Sequence, residues 1–202
     1  MRQRRATSTT TTKHQNGHVM SEAEAEPLVD TKTSGKPRLL TFEEIEEWRQ
    51  DNELIRSGYR ALCGTYQGCI ASWAQIHNET VNIHTHLWGA LAVFVLAAYI
   101  HPLLWSRYHT AALSDRLVFA AYLMSVAFCL VMSVAFHTFM PHSFKVARYW
   151  TYWDFVGIIS VVLGSSYIGV YYLLYCEPRL VAVYWLMVSR AFLLSTSVST
   201  DA

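Results

Sequence analysis

The chain has 202 residues, of which 52% are apolar and 15% charged, and its formal net charge is +1. This small charge, together with the lack of any zinc-finger spacing, argues against nucleic-acid binding. Residues 1–60 hold ten of the 16 Lys and Arg and ten of the 15 Asp and Glu, whereas residues 86–194 hold six and three. A long stretch so poor in charge is what a lipid environment requires. The composition therefore predicts an all-α, multi-pass transmembrane helical bundle.

The N-terminal third precedes the apolar segments. Residues 1–38 are polar and include a run of threonines, so we expect a disordered tail and no cleavable signal peptide. Residues 41–60 begin with a capping-box pattern and carry apolar residues at mostly helical spacing, which predicts an amphipathic juxtamembrane helix. The four cysteines lack CxxC spacing, so we expect buried thiols and no disulfide framework.

Four apolar segments predict about four membrane helices within a bundle over residues 84–195, followed by a polar tail over residues 196–202. A helix needs ~20 apolar residues to cross the hydrocarbon core, and the fourth segment, which carries Arg190, falls short of this. The basic N-terminal tail favours a cytosolic N-terminus. Both the plasma membrane and the endoplasmic reticulum fit this pattern. The predicted helices are residues 86–105, 117–136, 154–175 and 180–194.

Polar side chains within the apolar segments mark a candidate site. Ser125, Cys129, Ser133 and His137 recur every four residues and form one stripe, and Asp154 opens the third predicted helix. His137 ends one helix and Asp154 begins the next, so we expect both to lie with Ser133 near one membrane face. Such a cluster suits a metal, a proton relay, a charged pair or a simple stabilising hydrogen bond. A zinc ion usually has three protein ligands, and only one firm ligand is visible.

Other polar motifs receive plainer interpretations. His84 and His86 precede the first apolar segment and are expected to be interfacial, and His142 is expected to be solvated in a loop. The Asn78-Glu79-Thr80 sequon is expected to stay unmodified, because a cytosolic N-terminus places it on the cytosolic side.

Several stretches occur in the order typical of one family, over residues 42–185. On these stretches the sequence resembles the progestin and adiponectin receptor family, which includes haemolysin-III-related proteins, and its fungal-type branch in particular. The matching stretches are residues 51–60, 77–87, 133–138, 141–143, 154–158 and 175–178.

The resemblance implies seven membrane helices and a zinc ion near the cytosolic face. The family's Ser-x3-His motif falls on Ser133 and His137, which makes His137 the implied zinc ligand, and Asp154 is implied to hold the zinc-bound water. The family completes the zinc shell with a His-x3-His pair on its seventh helix, whereas this sequence has no histidine after His142. The resemblance therefore implies an incomplete zinc site and a C-terminally truncated chain.

Three functions follow from the resemblance. The first is a receptor-like protein of lipid and metal homeostasis. The alternative is a zinc-dependent lipid amide hydrolase of the ceramidase type, with Asp154 as general base or water holder. The third is an inactive truncated form or a partner of a full-length form, and we expect this chain alone to bind little zinc and hydrolyse nothing. The partners considered are the bilayer, a lipid or protein ligand and a second copy of the chain as a homo-oligomer.

Overall fold

The computed structural model describes residues 37–200, without the side chains of His101, Ala191 and residues 193–200. The predicted disordered tail therefore lies outside the described residues, apart from its last two. These described residues contain five α-helices: α1 (Tyr66–Ala71), α2 (Thr80–Arg107), α3 (Leu113–Phe139), α4 (Phe144–Leu173) and α5 (Pro178–Thr200).

The predicted fold class, a helical multi-pass membrane bundle, is confirmed. Three of the described helices, α2, α3 and α4, are long and apolar enough to cross a membrane. The fourth predicted segment forms α5, which is not one of these three and which extends to Thr200 through most of the predicted polar tail.

The third membrane helix begins earlier than predicted. Helix α4 starts at Phe144, with Ser143 at its N-cap, so the connection from α3 spans residues 140–143 and the predicted start of this helix at residue 154 is wrong. Lys145, Arg148 and several aromatic residues fill its first turns, and hydropathy detects only the apolar part that follows. Asp154 consequently lies about three turns inside α4.

Residues 41–60 do not form the predicted amphipathic helix. They form a hairpin in which β1 (Leu40–Thr41) pairs antiparallel with β2 (Ser57–Tyr59), with 3-10 turns between the strands. Gly58 adopts φ +92°, a left-handed conformation that an α-helix excludes, and its carbonyl accepts a hydrogen bond from the Asn78 amide. In the predicted capping box, the Thr41 amide donates to Glu44 Oε2 at 2.9 Å.

Helix α3 is the central helix and packs against both α2 and α4. Cys129 and Ser125 of the polar stripe lie at the contact with α4, where a Cβ added to Gly157 would lie 2.9 Å from the Cα of Cys129. One added to Gly164 would meet the Ser125 side chain. Small residues at these positions let the two backbones approach closely.

The cysteine prediction is wrong for one pair. Cys63 and Cys69 are joined as a disulfide, with Cα atoms 6.2 Å apart, and Cys69 lies on the short helix α1. Of the two free cysteines among the described residues, Cys129 is half-buried and Cys176 is exposed.

Candidate functional site

The C-terminal end of α3 carries the candidate site. Ser133 keeps only 6% of its surface exposed, and His137 follows one turn later on the same face. The Nδ1 atom of His137 lies 2.7 Å from the Oε2 atom of Glu79, which is the N-cap residue of α2. The structure thus joins α2 and α3 through a histidine–carboxylate pair.

Glu79 is the functional residue that sequence reasoning missed. The residue is 8% exposed, and its carboxylate also accepts hydrogen bonds from Asn78 (3.0 Å) and Asn82 (2.8 Å). Burial raises the pKa of Glu79, but the hydrogen bonds from His137 and Asn82 and the nearby positive charges outweigh burial and hold the pKa below its ordinary value. Glu79 is therefore a carboxylate that fixes the orientation of the His137 ring.

The second ring nitrogen of His137, Nε2, has no hydrogen-bond partner among the residues that the structure describes. The centroid of the His137 ring lies 5.7 Å from the centroid of the His86 ring. The Nδ1 atom of His86 is buried and has no hydrogen-bond partner among the described residues. Two half-buried imidazoles thus lie near each other at this end of the bundle, a contact that the sequence did not predict.

Asp154 lies half-buried on α4, within electrostatic range of His86 and of Cys129. Since Cys129 is one turn before Ser133 on α3, the structure brings Asp154 to the same end of the bundle as Ser133 and His137. It gives Asp154 no hydrogen bond to either of them within residues 37–200. The predicted trio therefore lies at the same end of the bundle, and His86 is within electrostatic range of both His137 and Asp154.

Arg60 fastens the N-terminal hairpin to this end of α3. Its guanidinium donates to the carbonyls of His137 (2.6 Å) and Thr138 (3.1 Å) and to the hydroxyl of Ser72 (2.9 Å). These carbonyls belong to the last turn of a helix and have no partner within it, so the arginine satisfies them. Burial lowers the pKa of Arg60 to about 10, so the side chain stays charged at neutral pH.

A family model described as "Haemolysin-III related" matches residues 74–201. The chain belongs to the haemolysin-III-related family. It is 34% identical over 160 residues to "Progestin and adipoQ receptor-like protein 1" of Caenorhabditis elegans, which covers 79% of this chain and 36% of that protein. These findings confirm the resemblance to the progestin and adiponectin receptor proteins.

Two further relatives have similar coverage. The chain is 30% identical over 176 residues to "Adiponectin receptor protein" of Drosophila melanogaster (87% of this chain, 39% of that protein). It is 36% identical over 153 residues to "Progestin and adipoQ receptor family member 3" of Homo sapiens (75% of this chain, 48% of that protein). The chain thus spans less than half the length of the three relatives compared.

The residues present match a zinc site only in part. In metal sites a ligating histidine usually donates its other ring N–H to a carboxylate, and His137 has that arrangement with Glu79. Yet no group of three His, Cys, Asp or Glu side chains that could hold a metal occurs within the described part of the chain. His137 therefore fits as one zinc ligand, and residues 37–200 do not form a complete shell.

Proposed function

We propose that this chain belongs to a receptor-like membrane protein of lipid and metal homeostasis, in which His137 is one ligand of a zinc ion. The observation that carries the proposal is the 2.7 Å contact between Glu79 and His137 Nδ1, which leaves Nε2 as the ring nitrogen that can bind the metal. The family relationship and the receptor names of the relatives also support the proposal of a receptor-like protein.

The neighbouring polar groups have supporting roles in this proposal. Ser133 and Asp154 would orient water at this end of the bundle, and Arg60 and Glu79 hold the backbone and ring of His137 in place. A bound zinc ion supplies Lewis acidity. We place this end at the cytosolic face, which the basic N-terminal tail favours.

A lipid amide hydrolase is the second candidate. The half-buried Asp154 near His86 favours it, since a carboxylate at that position can serve as a general base. Release of fatty acid from a ceramide that depends on Asp154, measured with an Asp154→Asn variant, would select the enzyme over the receptor.

The test of the zinc ligand measures histidine resonances by NMR while the detergent-purified chain is titrated with zinc. We expect the ring signals of His137 to shift, with weak overall affinity because the described residues supply one firm ligand. His137→Ala should remove the response. His142→Ala is the matched control, because His142 hydrogen-bonds Ser143 in the α3–α4 loop and should leave the response intact.

A second variant tests the role of Glu79. Glu79→Gln keeps the size and one acceptor oxygen but removes the charge, so zinc affinity should fall by roughly 10–100-fold. A zinc response that is the same in the wild type, His137→Ala and Glu79→Gln would contradict the proposal. Stoichiometric zinc in the purified chain, found by elemental analysis, would contradict the view that its shell is incomplete.

A further inference from the structure

The opposite end of the bundle holds a cavity of about 570 Å³ between α2, α3 and α4. Asp115 lies in its wall, 22 residues before His137 on the same helix and therefore roughly 33 Å away. The cavity shares no residue with the site around His137, and the inference drawn from it goes beyond the proposed function.

Asp115 is a buried carboxylate without a basic partner. Only 7% of its surface is exposed, and it accepts hydrogen bonds from the hydroxyls of Tyr171 (2.6 Å) and Tyr175 (3.3 Å) and from the Ala112 amide (2.8 Å). No salt bridge joins it to a lysine, arginine or histidine within the described residues. The carboxylate therefore has hydrogen-bond donors, but no cationic side chain of the described residues neutralises it.

The cavity wall is suited to supply the rest of a cation site. Aromatic faces attract cations through their quadrupole, most strongly where water is excluded. The ring of Trp105, which lines the cavity, already contacts a cation, because the guanidinium of Arg116 lies 5.0 Å from its centroid. The aromatic residues lining the cavity are Trp105, Tyr108, Phe119, Tyr172 and Tyr175.

The chemistry of the wall selects an organic cation. A hard metal ion such as Ca²⁺ takes six to eight oxygen ligands, and Asp115 is the one carboxylate in this wall. Quaternary ammonium groups, in contrast, are recognised by aromatic cages. The cavity is large enough for such a group with its substituents.

We infer that Asp115 and the aromatic residues around it bind a quaternary ammonium group of the choline type. The site lies where α2 ends and α3 begins, at the level of the membrane–water interface, where lipid headgroups reside. The group is carried either by a lipid headgroup or by a small soluble cation, and the experiment separates these sources.

The test measures choline binding by isothermal titration to the 202-residue protein in phosphatidylglycerol nanodiscs. We expect saturable binding, and no binding of 3,3-dimethyl-1-butanol, a neutral analogue of the same shape. Asp115→Asn should weaken binding by about tenfold or more, since it removes the charge. Equal binding of the neutral analogue, or no binding of choline, would overturn the inference.

A second pair of variants avoids the buried carboxylate. Tyr108 lines the cavity, is 58% exposed and is not one of the residues that hydrogen-bond Asp115, so we expect its substitution to leave the fold intact. Tyr108→Leu should weaken choline binding severalfold, whereas Tyr108→Phe, which keeps the aromatic face, should not. Equal affinities for these two variants would also overturn the inference.

The lipid composition identifies the source. If choline binds in phosphatidylglycerol nanodiscs but not in phosphatidylcholine nanodiscs, the lipid headgroup occupies the site. If it binds equally in both, the ligand is a soluble cation. Both outcomes support a quaternary ammonium site. Failure to bind in phosphatidylglycerol, with the protein shown to be folded, refutes it.

Discussion

Gly157 lies where α4 presses against α3, and we predict that Gly157→Ala loosens this contact. The new Cβ would lie 2.9 Å from the Cα of Cys129, and a backbone atom cannot move aside unless α3 shifts. Overpacking of this kind costs about 1–3 kcal/mol. Gly169 on the same helix has nothing within 4 Å of such a Cβ, so Gly169→Ala is the matched control.

The two variants gain the same helix propensity, about 1 kcal/mol, so propensity cancels in their difference. We expect the free energy of unfolding of Gly157→Ala to be lower than that of Gly169→Ala by about 1–3 kcal/mol. The assay is unfolding of the purified chain in mild detergent by titration with a denaturing detergent, followed by tryptophan fluorescence. Values that agree within about 0.5 kcal/mol would refute the close approach of the two helices.

Two further predictions concern the hairpin end of the bundle. Arg60→Lys should lower the midpoint temperature of unfolding, because an ammonium cannot bond both carbonyls and the Ser72 hydroxyl as the guanidinium does. The control is Arg56→Lys at an exposed position, which should leave the midpoint unchanged. Equal midpoints for the two variants would contradict this prediction. Burial and the charge of Arg60 lower the pKa of His77 from 6.5 to about 4. The unfolded chain therefore binds a proton at His77 more readily than the folded chain does. The free energy of unfolding should consequently decrease as the pH falls from 6.5 toward 4. Unfolding midpoints measured across this range should vary less in His77→Gln, and an unchanged slope would contradict the assignment.

The membrane helices were predictable because apolar runs have only one economical solution in lipid. The start of α4 was not predictable in this way. Its first turns are rich in aromatic and basic residues, so their hydropathy is closer to that of a loop than to that of a membrane helix. The prediction of an amphipathic helix over residues 41–60 was wrong for a different reason. Their apolar residues recur at helical spacing, but Gly58 at φ +92° and the pairing of Leu40 with Tyr59 need contacts that spacing alone does not contain.

The candidate site was predictable on α3 and incomplete elsewhere. Ser133 and His137 share a face because they are four residues apart, and that rule holds for any helix. The partner of His137 is Glu79, 58 residues earlier, and no local pattern links the two. The signal available was a carboxylate immediately before an apolar helix, on the same membrane side as His137.

The charged groups at the two ends of α3 have different partners, and we therefore expect the two ends to have different roles. At the His137 end, Glu79 faces a histidine and two asparagines, and Arg60 faces backbone carbonyls, so each charge has protein partners. At the other end, tyrosine hydroxyls and one amide solvate Asp115 without neutralising it. Because breaking a buried pair leaves an uncompensated charge, changes at Glu79 should disturb the fold as well as the proposed zinc ligand His137. Neutralising Asp115 removes a charge that no described side chain balances, so its main effect should fall on ligand binding.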